Sequence, residues 1–168
     1  MATYYGSALA AVNTTLSDNF TPHVSVVHGR QRIARSTVTV LALTTDLVRM
    51  ISLRSTDRLF ELYLAGNGGA TAGATDVGAY YAGDAHDGAV IDADEFATAV
   101  TSPSTAAGAD VFAEAATSRE VLRGAPLWEA VGLSADPGGY IDITMTPSTS
   151  FTAAAPIMVM TAHYVAGD

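Results

Sequence analysis

Residues 58–64 set the pattern that most of the chain follows. Leu59, Glu61 and Tyr63 alternate there with Phe60, Leu62 and Leu64. That two-residue period puts successive side chains on opposite faces of a strand, here with both faces partly apolar. The period returns at 140–146, where Tyr140, Asp142, Thr144 and Thr146 alternate with Ile141, Ile143 and Met145. It returns again at 157–165, where Ile157, Val159, Thr161, His163 and Val165 alternate with Met158, Met160, Ala162 and Tyr164. Further strand-like runs cover 24–27, 33–43, 46–53 and 77–81, with a short one near Val111-Phe112. Gly29, the run 65–69, Gly83 to Gly88 and Asp136-Pro137-Gly138-Gly139 punctuate them as turns.

Two stretches predict helix instead. Asp92 stands as a cap before Ala93 to Val100, which is expected to form one or two helical turns. Pro126 to Val131 has proline near its first position and Gly132 at its end. Residues 102–117 are low-complexity Ala, Ser, Gly and Thr and predict a surface loop. Residues 1–22 lack periodicity, and Pro22 breaks any helix before the first strand, so this segment is expected to be an extended arm. The remainder, 23–168, is expected to be one domain. About eight short strands with one or two small inserted helices predict an all-β fold, a two-sheet sandwich or jelly roll.

Composition narrows the function more than the fold. At 168 residues, 49% of them apolar, the chain can bury one core and is not a disordered tail. No apolar run approaches a membrane span. The N-terminus has no positive n-region, so a signal peptide is not expected, and the protein should stay in its cell or leave only within a particle. Cysteine is absent, which removes disulfides, Cys-ligated metals and a thiol nucleophile together.

Charge is unevenly spread. All eight basic residues are arginine, and six of them lie between Gly29 and Arg58. Set against Asp46 and Asp57, that stretch carries +4; residues 61–168, with 14 acids and two arginines, carry −12. The acidic bulk argues against nucleic-acid binding, which needs a dominant basic face. The arginines suit bidentate contact with carboxylates, either on another protein surface or in the acidic second half of this chain.

No catalytic constellation emerges. His23 and His28 are five apart and point to opposite faces of a regular strand, and His163 suits a packed or interface position. Asp84, Asp87, Asp92 and Asp94, with His86 and Glu95 nearby, are the candidate ligands for a hard cation such as calcium, but their spacing departs from an EF-hand loop. A solvated acidic loop capping neighbouring backbone groups is the expected reading, with the cation site as the weaker alternative. No Gly-x-Ser-x-Gly elbow occurs, and Gly66 to Thr71 has neither the lysine nor the following helix of a phosphate loop. Trp128 lies in the short apolar helix, where a core or interface anchor is expected. No cofactor is called for.

Three segments carry a resemblance. They are Thr44 to Val48 with Leu53 to Leu59, Asp76 to Val90, and Leu127 to Pro137. Over roughly 38–145 the chain resembles the cement or decoration proteins of tailed bacteriophages, small virion proteins often made beside the major capsid protein. The resemblance implies a β-sandwich or jelly roll that docks on the capsid exterior as a dimer or trimer, and it supplies no catalytic residues. The implied partners are the major capsid protein and the chain itself, with no nucleic acid and no membrane. The implied location is the virion surface after assembly in the host cytoplasm. Expected contacts are Tyr4, Tyr5 and Phe20 of the arm with Arg30, Arg32 and Arg35. The alternative is a virion-associated binding module, a head-fibre base or carbohydrate-binding sandwich, which would gather Tyr80, Tyr81 and Tyr140 in one cleft. A hydrolase built on the loop 84–95 is the remaining reading.

Overall fold

A computed structural model describes residues 31–39, 47–66, 73–83, 88–101, 108–112, 122–149 and 157–167. The expected arm and the strand at 24–27 lie outside these. Eight strands and one helical turn are present among the described residues: β1 Gln31–Thr39, β2 Val48–Arg54, β3 Arg58–Gly66, β4 Ala74–Tyr81, β5 Val90–Val100, β6 Ala109–Asp110, α1 Leu127–Ala130, β7 Tyr140–Thr149 and β8 Ile157–Val165.

The strands form two four-stranded sheets, ordered β1-β8-β3-β6 and β2-β7-β4-β5. Every pairing is antiparallel. The pairs β1/β8, β2/β7, β3/β6 and β4/β5 are nested, as if one long hairpin closed at β4–β5 had been rolled on itself. That is the jelly roll, a double Greek key whose two sheets bury one face each.

Alternation decides what is buried. Met158, Met160 and Ala162 of β8 are buried and meet Leu59, Leu62 and Leu64 of β3 and Ile141, Ile143 and Met145 of β7 in one core cluster. Phe96 and Phe112 close one side of it with ring centroids 5.8 Å apart. Fully burying one such side chain contributes about 1.5–3 kcal/mol. The strand expected at Val111-Phe112 is two residues earlier, at β6; Val111 and Phe112 are buried beside it, and the Val111 N–H donates to the Leu62 carbonyl at 2.7 Å.

The expected helix at 126–131 is present as α1. Leu127 and Ala130 are buried, and Trp128 packs partly buried against the core. Gly132, at φ 75°, ends the turn. Gly132 N–H donates to the Glu129 carbonyl and Leu133 N–H to the Trp128 carbonyl, both at 3.0 Å, the paired bonds of a Schellman cap.

The helix expected over Ala93 to Val100 is instead the second half of β5. Register explains the difference. Ala79 pairs with Asp92 while Val77 pairs with Ala97, so a short piece of β4 faces a longer, bulged piece of β5. Bulging leaves Phe96, Ala97 and Val100 buried. Apolar residues at i, i+1 and i+4 are a helical signature, here produced by an irregular strand. Asp92 still caps locally: its carboxylate accepts the Asp94 N–H at 3.1 Å.

Candidate functional site

Strand order gives the sandwich two flanks. β1 and β2 are edge strands on one, β6 and β5 on the other. β1 and β2 together contain four arginines and no acid: Arg32, Arg35, Arg49 and Arg54. β5 and β6 contain four acids and no base: Asp92, Asp94, Glu95 and Asp110. Among these described strands charge is therefore divided flank against flank.

The arginines of the basic flank differ in what holds them. Arg49 is committed to partners within the chain. Its Nη1 is 2.5 Å from Asp142 Oδ2 and 3.1 Å from the Tyr81 carbonyl, Nη2 donates to the Gly88 carbonyl at 3.1 Å, and the group lies 5.9 Å from the Tyr80 ring centre. It ties β2, β7 and the end of β4 together. Arg54 is held at the sheet end by Tyr140. The hydrogen bond to Tyr140, then attraction to Tyr140 and Asp57, raises its already high pKa, so it stays charged. Arg32 and Arg35 are exposed and form no ion pair with any described residue.

These two expected contacts do not share a face. On β1, Arg32 is in the inward-facing set with Ala34 and Val38, both packed on the core, and pairs with Tyr164. Arg35 is on the outer face with Ile33, paired with Thr161. Being three apart on a strand, they must diverge. Tyr4, Tyr5, Phe20 and Arg30 lie outside the described residues.

Arg32 instead joins Tyr140 and, beside it, residues not singled out in the sequence. It lines a cleft of about 540 Å³ with Arg54, Asp57, Tyr140, Tyr164 and Gly167 at one end of the sandwich. Asp57 fixes the floor: one carboxylate oxygen accepts the Arg54 N–H and the other the Gly167 N–H, both at 3.0 Å. Beside it a second cleft of about 330 Å³ shares Arg54 and Tyr140 and adds Ser55, Asp136 and Gly138. The Ser55 hydroxyl first, and the Gly138 N–H second, hold the Asp136 carboxyl below its ordinary pKa. The turn residues Ser55, Thr56 and Asp57 after Arg54 were the available signal for this site; its other walls need the strand order.

The remaining candidates are locally engaged. Tyr80 is 5% exposed, with its hydroxyl 3.3 Å from Thr146 Oγ1, Tyr81 is half-buried, and Tyr140 is 49% exposed. The three tyrosines therefore do not line one cleft. Asp94 accepts the Thr98 hydroxyl at 3.1 Å, and Asp84 and Asp87 lie outside the described residues. Among the described residues no three His, Asp or Glu side chains are grouped to hold a metal ion, and no helix is long and apolar enough to cross a membrane. His163 sits on the outer face of β8, with Nδ1 3.2 Å from both Glu61 Oε2 and Gln31 Nε2. On the acidic flank, Arg123 pairs with Asp110 at 2.8 Å and lies 4.8 Å from the Phe112 ring centre.

No protein-family model and no curated protein matches the chain. Two solved structures are similar in fold. A chain of the capsid of Ralstonia phage GP4 aligns with TM-score 0.58 at 17% identity, covering 83% of this chain and 86% of that one. A chain of the cyanophage Pam1 capsid asymmetric unit aligns with TM-score 0.50 at 16% identity, covering 82% of this chain and 86% of that one. The jelly roll described above is a fold that this chain shares with chains of phage capsids.

Proposed function

We propose that the chain is a non-enzymatic structural protein of a tailed-phage virion. In this reading it is a cement or decoration protein that binds the capsid exterior, associates with copies of itself as a dimer or trimer, and bridges major capsid protein subunits. The observation that carries the reading is the nested eight-strand jelly roll, aligned over more than four-fifths of its length with chains of two phage capsids. Two features of this chain favour it further. The charge is divided between flanks rather than dispersed, and Arg32 and Arg35 stand exposed without an ion partner among the described residues. Unpaired guanidinium groups on a protein of net charge −9 suit an acidic protein surface. The arm residues Tyr4, Tyr5 and Phe20 with Arg30 belong to the same proposed contact surface, assembled in the host cytoplasm and carried on the virion.

The test is a reconstruction of the parent particle with and without this chain, alongside co-sedimentation with purified shells. Stoichiometric density on the shell exterior, touching more than one capsid subunit, is the expected result. Failure to co-sediment under any salt condition would overturn the reading. A second reading, a glycan-binding module on the virion, draws on Tyr140, which is exposed and lines both clefts with Arg54. It requires a melting shift with a glycan that Tyr140→Ala abolishes.

A further inference from the structure

The geometry points to head-to-tail packing between copies of the chain, with the β1/β2 flank of one copy set against the β5/β6 flank of the next. This deepens the self-association in the reading above and rests on it. The occupant of the basic flank is a second copy because the complement of that flank is present on the same molecule. β1 and β2 carry four arginines without an acid, and β5 and β6 carry four acids without a base.

Internal pairs do not cancel the division. Arg49 is neutralised by Asp142 and Asp110 by Arg123. Arg32 and Arg35 on one side have no acidic partner among the described residues. On the other side, among the described residues Asp92 and Asp94 hold neutral donors, the Asp94 N–H and the Thr98 hydroxyl. Each flank thus keeps surplus charge of one sign. Apolar side chains accompany it: Ile33 is 65% and Leu47 51% exposed on the basic flank, and Val90 is 55% exposed on the acidic one. A contact of these flanks would cover apolar area inside a complementary charged rim, the ordinary anatomy of an interface.

Symmetry decides the mode. A two-fold contact through β1 and β2 would set the arginine-bearing flank of one copy against that of the other, and like charges facing one another oppose association. The acidic flank has the same difficulty with Asp92 and Asp94. Contact between unlike flanks is heterologous, and such contacts close into rings when the rotation permits. Direct strand pairing across the flank is also disfavoured, since the inward-facing Arg32 guards the β1 edge.

Sedimentation velocity of the full chain across a salt series tests this. The wild type is expected to form a closed oligomer at low salt that dissociates as screening increases. Arg32→Glu with Arg35→Glu, and separately Asp92→Arg with Asp94→Arg, should each lose assembly while keeping wild-type melting. Mixing the two variants should restore association, because each junction between unlike variants again joins unlike charges; a ring with an odd number of copies cannot alternate throughout and should give open mixed species instead. Should the second pair lower melting through loss of the Asp92 cap, Asp94→Arg alone replaces it. A wild type that is monomeric at low salt, swapped variants that assemble like the wild type, or a mixture that stays monomeric would each overturn the proposal. Shell co-sedimentation is read in parallel. Shell binding without self-association sinks the head-to-tail contact and spares the cement reading; self-association without shell binding does the reverse. If the arginine swap abolishes shell binding and leaves self-association intact, the basic flank meets the capsid protein and the contact proposed here is wrong.

Discussion

Gly78 and Ala93 meet backbone to backbone: a Cβ at position 78 would lie 2.3 Å from the carbonyl carbon and oxygen of Ala93. The bulged part of β5 lies against the outer face of β4 at this point. This contact explains why β4 is buried on both faces, Val77 and Ala79 toward the core and Gly78 and Tyr80 away from it. Gly78→Ala drives a methyl group into main chain that cannot swing aside, at the upper end of overpacking costs, about 3 kcal/mol. For a domain of this size that lowers Tm by roughly 6–12 °C. Thermal melting checks it, and a change below about 1 °C would refute the contact.

Thr144 is the β7 residue paired with Gly78, and it is fully buried. Its hydroxyl has no hydrogen-bond partner among the described residues. A buried hydroxyl without a partner retains its desolvation cost, so replacing it by a methyl group of similar shape should help. Thr144→Val is expected to stabilise by about 1 kcal/mol, read as a higher urea midpoint at unchanged m-value. A lower midpoint would mean that the hydroxyl is satisfied in solution.

Legibility followed regularity. β8 matches its expected bounds because Ile157 to Val165 alternates without a bulge, so the period of two survives intact. β5 was illegible for the opposite reason. Its register shifts moved Phe96, Ala97 and Val100 into a helical spacing, and periodicity alone cannot distinguish the two. The concentration of arginine at 30–58 was visible in the sequence, but its placement opposite Asp92 and Asp94 was not. That relation depends on β1 pairing with β8 and β4 with β5, contacts that no local pattern encodes. The end cleft shows the same limit, since Arg32, Arg54, Tyr140 and Tyr164 arrive on four different strands.

Ala99 is the described non-glycine residue with positive φ, at 51°. Its N–H donates to Asp76 Oδ1 at 2.7 Å, which anchors the bulge to β4. An L side chain in the left-handed region costs about 1 kcal/mol that glycine avoids. Ala99→Gly should therefore stabilise by up to about 1 kcal/mol, although glycine is ordinarily unfavourable within a strand. Asp76→Ala should act oppositely, costing about 0.5–1.5 kcal/mol through the lost hydrogen bond, since water can reach the exposed Ala99 amide. Urea unfolding of both variants distinguishes this strained anchor from an ordinary strand, where Ala99→Gly would destabilise.

Asp136 gives the fold an acid-sensitive point near the cleft. The Ser55 hydroxyl and, after it, the Gly138 N–H at 2.8 Å favour its charged form, so its pKa is lower folded than unfolded. Between those two values the unfolded chain binds more protons, and stability rises with pH. The contribution is therefore present above the ordinary aspartate range and lost as pH falls through the folded value. Asp136→Asn removes the titration while keeping a side-chain acceptor for Gly138. The wild type should lose stability more steeply in acid than the variant, and the two curves should run parallel at neutral pH. Urea midpoints across an acid pH series measure this directly; equally steep acid limbs would show that the Ser55–Asp136 contact does not bias the carboxylate.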